Sequence, residues 1–210
     1  MNPGVAVVLA AGRGQRLGGD GKAGVALPDG RSMLEACLAA IRSAGIDEVL
    51  VVVRPGDRGS IAEARRLGVP AVPSRWPHGG PFGSVRTALL RWGTSPADTP
   101  ETPTPPRPLL LHPVDHPWVQ PATLLALLKA ARGRRCVVPR FDGRRGHPVA
   151  LGPDVRAPLA SLCPTATLRD ALRRAARRVE LPVADPGVLA NLNRPEEMLV
   201  PAAAFGHFDG

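Results

Sequence analysis

The feature that most constrains this chain is its first strand and the glycine-rich loop behind it. Residues 5–9 form a continuous apolar run rich in β-branched side chains, which predicts a buried parallel strand. Glycine and alanine dominate residues 10–21, and glycine lets a backbone approach a ligand closely. Arg16 and Lys22 add two cations to the same stretch. Inward-facing N–H groups together with fixed cations favour a polyphosphate ligand.

Two common phosphate-binding signatures do not fit this loop. A Walker loop needs glycine five positions before Gly-Lys-Ser/Thr, but Arg16 holds that position and Ala23 follows Lys22. A dinucleotide fingerprint needs Gly-x-Gly-x-x-Gly, and here Gly18 comes one residue too late. The loop is therefore another kind of phosphate-binding loop, or it is only a flexible turn between a strand and a helix.

Length and composition indicate one α/β domain over residues 1–210. The chain has 210 residues, of which 44% are hydrophobic, so it can bury a sizeable core. We find neither an apolar run long enough to cross a membrane nor a signal peptide. Cys37, Cys136 and Cys163 are too few and too far apart for a disulfide framework or a zinc pattern. We therefore predict a cytoplasmic protein without membrane contact.

The charge of the chain points to anionic small molecules. The formal net charge is +9, which fits either nucleic acid or acidic substrates. Only 3% of residues are aromatic and tyrosine is absent, so the stacking platforms of single-strand binders are scarce. We therefore predict no nucleic-acid partner. A basic nucleic-acid binder remains the alternative, and it would bind with a strong dependence on salt.

Strand and helix patterns alternate along the chain. Predicted strands cover residues 48–53, 69–72, 108–112, 136–139, 149–151, 179–183 and 188–189. Predicted helices cover 32–44, 60–67, 120–132 and 165–178, and one more runs through residues 85–92 after the glycine turn at 79–84. A proline-rich stretch at 96–108 is predicted to be a surface loop. This order predicts a three-layer α/β/α sandwich around a doubly wound, mostly parallel sheet of the Rossmann-like kind.

Asp115 is the candidate metal ligand. It follows the strand at 108–112, and ligands bind outside the carboxyl ends of the strands in open parallel sheets. Mg²⁺ takes one or two carboxylates together with substrate phosphates. The alternative is an aspartate that begins a proline-rich turn. His112 and His116 flank Asp115, but this irregular turn offers no further zinc ligand.

Four motifs resemble those of the MobA/MocA-like NTP transferases, nucleotidyltransferases that attach a nucleotide to molybdenum cofactor or to sugar phosphates. The motifs are Leu9-Ala10-Ala11-Gly12 with Arg16 and Lys22; Gly80 to Ser84; Asp115 followed by Pro117; and Asn191 to Glu197. The resemblance implies that Arg16 and Lys22 are catalytic and that His147 binds the acceptor. It implies that Asp115 and Asn193 hold Mg²⁺. The implied nucleotide-binding residues are Leu9, Ala10, Ala11, Gly12, Gly14, Gly80 and Ser84. His147 is alternatively a structural turn residue, and we choose Asn193 over Asn191 as the second ligand.

The resemblance implies transfer of a nucleoside monophosphate to a phosphate-bearing acceptor, with release of pyrophosphate. Ala11 in place of a second glycine, Ser84 and the Gly146-His147-Pro148 segment favour CTP as the donor, with GTP as the alternative. Molybdopterin or its molybdenum form is the implied acceptor, and a molybdoenzyme is a further candidate partner. The alternatives are a sugar-phosphate nucleotidylyltransferase and a non-catalytic cofactor chaperone of the same fold. Asparagine in place of aspartate at 191 and 193 removes negative charge from the metal site.

Overall fold

The structure is a computed structural model and describes residues 3–12, 21–92, 107–162 and 167–193. Several predictions from sequence lie outside these residues. They concern Gly14, Arg16, most of the proline-rich stretch at 96–108 and the segment that follows Asn193.

One sheet of eight strands runs through the described part of the chain. The strands are β1 (Val5–Ala10), β2 (Val49–Val53), β3 (Ala71–Pro73), β4 (Leu109–Pro113), β5 (Arg135–Phe141), β6 (Arg144–Arg145), β7 (Val149–Leu151) and β8 (Arg177–Pro182). They follow the path β3-β2-β1-β4-β7-β5, and β6 and β8 both pair with β5. β7 and β6 are antiparallel to their neighbours, and every other pairing is parallel. The sheet is therefore mostly parallel.

Helices cover both faces of the sheet. They are α1 (Met33–Ser43), α2 (Arg58–Arg66), α3 (Gly80–Trp92), α4 (Pro121–Ala130), α5 (Arg156–Ser161) and α6 (Leu168–Ala175). Ala6 and Val8 of β1 pack in one core with α1 and α4, whereas Val5 and Val7 pack in a second core with α3, α5 and α6. Successive side chains of a strand point to opposite faces, so β1 needs apolar residues at both. This arrangement confirms the predicted three-layer sandwich.

The helix starts follow local capping chemistry. The Ser32 hydroxyl accepts a 3.0 Å hydrogen bond from the Glu35 backbone N–H, as expected for the cap of α1. Asp57 caps α2 in the same way, by accepting from the Ser60 backbone N–H at 2.9 Å. Gly45 follows α1 with a φ of +77°, a conformation that favours glycine after a helix. These signals explain why α1 begins and ends within one residue of its predicted bounds.

Two predictions near the end of the described chain differ from the structure, one in the end of a helix and one in the kind of element. The helix predicted to run to residue 178 ends at Ala175, because Arg177 and Arg178 begin β8 and pair in parallel with β5. Pairing with β5 outweighs the helix propensity of arginine there. Residues 186–189 form a 3-10 turn rather than a strand, because the Asp185 carboxylate accepts from the Gly187 backbone N–H at 2.9 Å. The sequence pattern at 188–189 is too short to reveal this turn.

Cys37 and Cys136 are buried free thiols. The Cys37 thiol donates to the Val114 carbonyl at 3.5 Å, and burial raises its pKa, with a further contribution from the Asp115 carboxylate. Burial likewise raises the pKa of Cys136 to about 11. Both side chains therefore stay protonated and act as core residues. Among the described residues, no helix combines the length and the apolar character that crossing a membrane requires.

Candidate active site

The carboxyl ends of the parallel strands open into one cavity of about 590 Å³. Eight of the predicted site residues line it: Leu9, Ala11, Gly12, Lys22, Gly80, Ser84, Asp115 and His147. Ala10 is fully buried at the end of β1 and does not line the cavity. The cavity thus brings together residues that lie more than a hundred positions apart in the sequence.

The glycine loop leaves β1 at Ala11 and Gly12 and returns at Gly21 and Lys22. Gly21 has a φ of +91°, and a Cβ atom built on it would lie 2.3 Å from the Asp57 carboxylate. Glycine is therefore required there by both backbone conformation and space. This close approach fixes the returning end of the loop against the start of α2, so that Lys22 enters the cavity from a defined position.

Lys22 and Asp115 of the cavity wall form a connected cluster with Asn193, and Asn191 rather than Asn193 lines the cavity itself. The Lys22 Nζ lies 2.8 Å from Asp115 Oδ2, and the two side chains are only 12% and 18% exposed. Lys22 Nζ also donates to Asn193 Oδ1, and Asn193 Nδ2 donates to Asn191 Oδ1 at 2.6 Å. Residues 190–193 do not form a strand, so strand pairing does not set the relative positions of Asn191 and Asn193. The hydrogen bond between the two amides brings them together instead.

This cluster fits a divalent cation with hard oxygen ligands. Asp115 Oδ2 and Asn193 Oδ1 converge on one point, since both accept from the same ammonium group. Carboxylate and amide oxygens are the donors that Mg²⁺ and Mn²⁺ take in proteins. Within the described ranges, no group of three or more His, Cys, Asp or Glu residues is arranged to hold a metal. A metal here would accordingly depend on substrate phosphates for its remaining ligands.

Three histidines surround Asp115 and stay neutral. Burial lowers the pKa of His112 to about 4, and its Nε2 donates to the His116 carbonyl across 3.0 Å. Burial also lowers the pKa of His116, whose ring lies 5.1 Å from that of His147. Desolvation by nearby protein atoms lowers the pKa of His147, although its side chain is open to the cavity. The histidines therefore add no charge beside Asp115, whose charged partner is Lys22.

The His147 segment is held in place by the turn at 186–189. The His147 backbone N–H donates to the Val188 carbonyl at 2.9 Å. A Cβ atom on Gly146 would lie 2.3 Å from the same carbonyl oxygen. Glycine at 146 therefore allows the close approach that presents His147 to the cavity, next to the cis peptide bond before Pro148.

Sequence reasoning missed several residues of the cavity wall. Arg54 and Ser74 stand at the ends of β2 and β3, and His78 belongs to the turn before α3. Ser74 is only 3% exposed, and its hydroxyl has no hydrogen-bond partner within the part of the chain that the structure describes. The position of Ser74 after a parallel strand was the available signal, because such ends face the ligand side of the sheet.

Known proteins of similar sequence and structure carry out nucleotidyl transfer. A molybdenum cofactor guanylyltransferase from Cereibacter sphaeroides is 31% identical over 198 residues, covering 91% of this chain and 92% of that protein. A nucleotidyl transferase from Methanothermobacter thermautotroptrophicus superposes with a TM-score of 0.71 at 25% identity, covering 93% of this chain and 94% of that one.

A third similar protein was solved in complex with manganese. It is Rv0371c from Mycobacterium tuberculosis H37Rv, at a TM-score of 0.63 and 24% identity, with 92% of this chain and 94% of that chain covered. The family model for the MobA-like NTP transferase domain matches residues 6–179. The match takes in β1, the cavity residues on β2 to β4 and the His147 segment, and so this chain belongs to the MobA-like NTP transferase family.

Proposed function

We propose that this protein transfers a nucleoside monophosphate from a nucleoside triphosphate to the terminal phosphate of a molybdopterin-type acceptor. The observation that carries the proposal is the pairing of Lys22 with Asp115 at 2.8 Å in the cavity where the glycine loop begins and ends. A cation and a metal-binding carboxylate beside a phosphate-binding loop suit polyphosphate chemistry. The same pairing has no evident use in hydrolysis by a side-chain nucleophile.

The chemistry needs positioning and charge more than acid–base groups. An oxygen of the acceptor phosphate attacks the α-phosphorus, the bond from that phosphorus to the bridging oxygen breaks, and pyrophosphate leaves with the electron pair. The attacking phosphate is already ionised at neutral pH, so no general base is required. Backbone N–H groups of Ala11 and Gly12 would orient the phosphates, and Lys22 and Arg16 would stabilise the charge that develops on them.

A divalent metal, when bound, would neutralise phosphate charge and orient the reacting groups. Asp115 and Asn193 are the residues that would hold it, because their oxygens converge on one point. Mg²⁺ is our candidate, and the manganese complex of a structural neighbour supports a divalent ion. The neutral histidines around Asp115 would leave this charge balance undisturbed, and exposed His147 would offer a hydrogen bond to the acceptor.

For the donor we propose GTP, with CTP as the second candidate. The support for GTP is the guanylyltransferase relative, which covers 91% of this chain. The support for CTP is the loop sequence, in which Ala11 stands in place of a second glycine, together with Ser84 and the His147 segment. The two donors differ only at the base, which we expect near Ser84 and Ser74.

A panel of triphosphates with Mg²⁺ tests the proposal in two steps. Thermal shift first identifies the donor, since a ligand that binds only the native state raises the melting temperature. Pyrophosphate release is then measured with molybdopterin and with sugar phosphates as acceptors. Lys22→Ala and Asp115→Ala should each abolish release, whereas Asp154→Ala, at an exposed carboxylate outside the cavity, should not.

Each other outcome selects a different function. Release with a sugar phosphate alone would make the protein a sugar-phosphate nucleotidylyltransferase. A triphosphate or molybdopterin that binds without any release of pyrophosphate would favour a cofactor chaperone. If no triphosphate shifts the melting temperature, the glycine loop is not a working nucleotide site and the proposed function is wrong.

A further inference from the structure

Lys22 places a cation where two oxygen ligands converge. Its Nζ donates to Asp115 Oδ2 at 2.8 Å and to Asn193 Oδ1, so both oxygens face the same point from separate segments of the chain. Lys22 is 12% exposed and Asp115 is 18% exposed, so water screens this contact less than it screens a surface ion pair. The free protein therefore already holds a positive charge at its candidate metal position.

A divalent ion and this ammonium group cannot occupy the position together. Mg²⁺ binds oxygen at about 2.0–2.1 Å, so an ion on the same two oxygens would overlap the Lys22 Nζ. Two cations so close would also repel strongly in a site that is partly closed to solvent. Metal binding at Asp115 and Asn193 consequently requires the Lys22 side chain to leave.

The neighbouring loop shows where the ammonium would go. Lys22 Cε lies 3.8 Å from the position that a Cβ on Gly12 would take, so the side chain already runs beside the start of the phosphate loop. A triphosphate on this loop would offer the ammonium more negative charge than the single carboxylate of Asp115. The flexible four-carbon stem of lysine allows the exchange through side-chain rotations alone.

We propose that Lys22 acts as an internal counter-cation that closes the metal position until a triphosphate draws it away. The inference rests on the proposed function for the identity of the triphosphate. It implies an order of binding in which nucleotide releases Asp115 and Asn193 for the metal. It also implies that the nucleotide-free protein binds divalent cations weakly because of its own lysine.

Removal of the lysine charge tests the proposal directly. We expect Lys22→Met to bind Mn²⁺ in the absence of nucleotide about tenfold more tightly than the wild type, the scale of one partly screened ion pair. Lys129→Met is the matched control, because Lys129 is the other lysine of the chain and is exposed on α4. Free Mn²⁺ measured by electron paramagnetic resonance gives the dissociation constants without any assay of activity.

A double variant locates the effect. Lys22→Met combined with Asp115→Asn should lose the gain, because the carboxylate that Lys22 uncovers is then absent. Lys22→Gln is the second variant, to be used where circular dichroism finds Lys22→Met unfolded. Unchanged or weaker Mn²⁺ binding in the folded Lys22 variant, or a gain that survives Asp115→Asn, would overturn the proposal.

Failure of this inference is distinguishable from failure of the proposed function. A wild type that releases pyrophosphate while Lys22→Met gains no Mn²⁺ affinity would leave the function standing and remove the counter-cation. A wild type without nucleotidyl transfer, together with an Asp115-dependent gain in Lys22→Met, would support the counter-cation and overturn the proposed function.

Discussion

The backbone N–H of Leu192 donates a 2.8 Å hydrogen bond to the backbone carbonyl of Asp115. This bond ties residues 190–193 to the loop that follows β4, and it sets Asn193 beside the Asp115 carboxylate. Leu192 is 2% exposed and packs in the core with Val114 and Trp118, which anchors the contact. The candidate metal position is therefore assembled by tertiary packing between two distant segments.

The first prediction concerns Asp115. Asp115→Asn removes the only carboxylate of the Lys22 cluster while nearly keeping its shape, so we expect kcat for pyrophosphate release to fall about 10²- to 10³-fold. The free energy of unfolding should change by no more than about 1 kcal/mol, because the pair is partly screened by solvent. Steady-state kinetics and urea unfolding measure the two effects.

Asp154→Asn is the control for Asp115, since Asp154 is exposed in the 3-10 turn after β7. Its kinetics should match the wild type. Full activity of Asp115→Asn at saturating Mg²⁺ would show that the carboxylate has no part in the reaction.

The second prediction concerns the acceptor end of the cavity. His147→Ala should raise KM for the acceptor about tenfold or more, because a hydrogen bond to a charged phosphate contributes roughly 1.5–3 kcal/mol. KM for the triphosphate should stay unchanged, since the predicted nucleotide residues Gly12 and Ser84 come from other elements. The reverse pattern, in which only the triphosphate KM rises, would place His147 at the donor.

Gly146→Ala tests how the His147 segment is supported. The new Cβ would lie 2.3 Å from the Val188 carbonyl oxygen, and a backbone atom cannot yield as a flexible side chain can. We expect a loss of about 1–3 kcal/mol in the free energy of unfolding and weaker acceptor binding. Gly24→Ala is the control, because no atom lies within 4 Å of its added Cβ. Equal stability of the two variants would mean that the turn at 186–189 adjusts freely.

Much of the fold could be predicted from sequence because the signals were local. The buried strands β1 and β2 are continuous apolar runs. Ser32 marks the start of α1, and Gly45 follows its end. β8 was predicted to begin too late, because only the partner strand β5 decides whether Arg177 and Arg178 are helical or extended. Local propensity does not contain that information.

The candidate site could be predicted as a set of residues, but its contacts could not. The glycine loop and Asp115 were found because each follows a strand, where ligands of parallel sheets bind. The ion pair between Lys22 and Asp115 spans 93 positions, and each residue had been given a separate role, one toward phosphate and one toward metal. Ser74 was missed because its position after a short parallel strand is the one signal that the sequence carries for it.

The last prediction concerns acid stability and His112. Its pKa is about 4 in the folded protein, because burial disfavours the charged ring, against about 6.5 in an unfolded chain. Between these pH values the unfolded state binds a proton that the folded state does not, so the free energy of unfolding falls as pH falls from about 6.5 to about 4. One such proton contributes a slope of at most about 1.4 kcal/mol per pH unit.

His112→Gln should reduce that slope when urea unfolding is repeated across this pH range. Leu110→Ala is the control, because Leu110 is buried in the same strand, and it should lower the free energy of unfolding equally at each pH. Equal slopes in His112→Gln and the wild type would mean that His112 already carries a proton in the folded state.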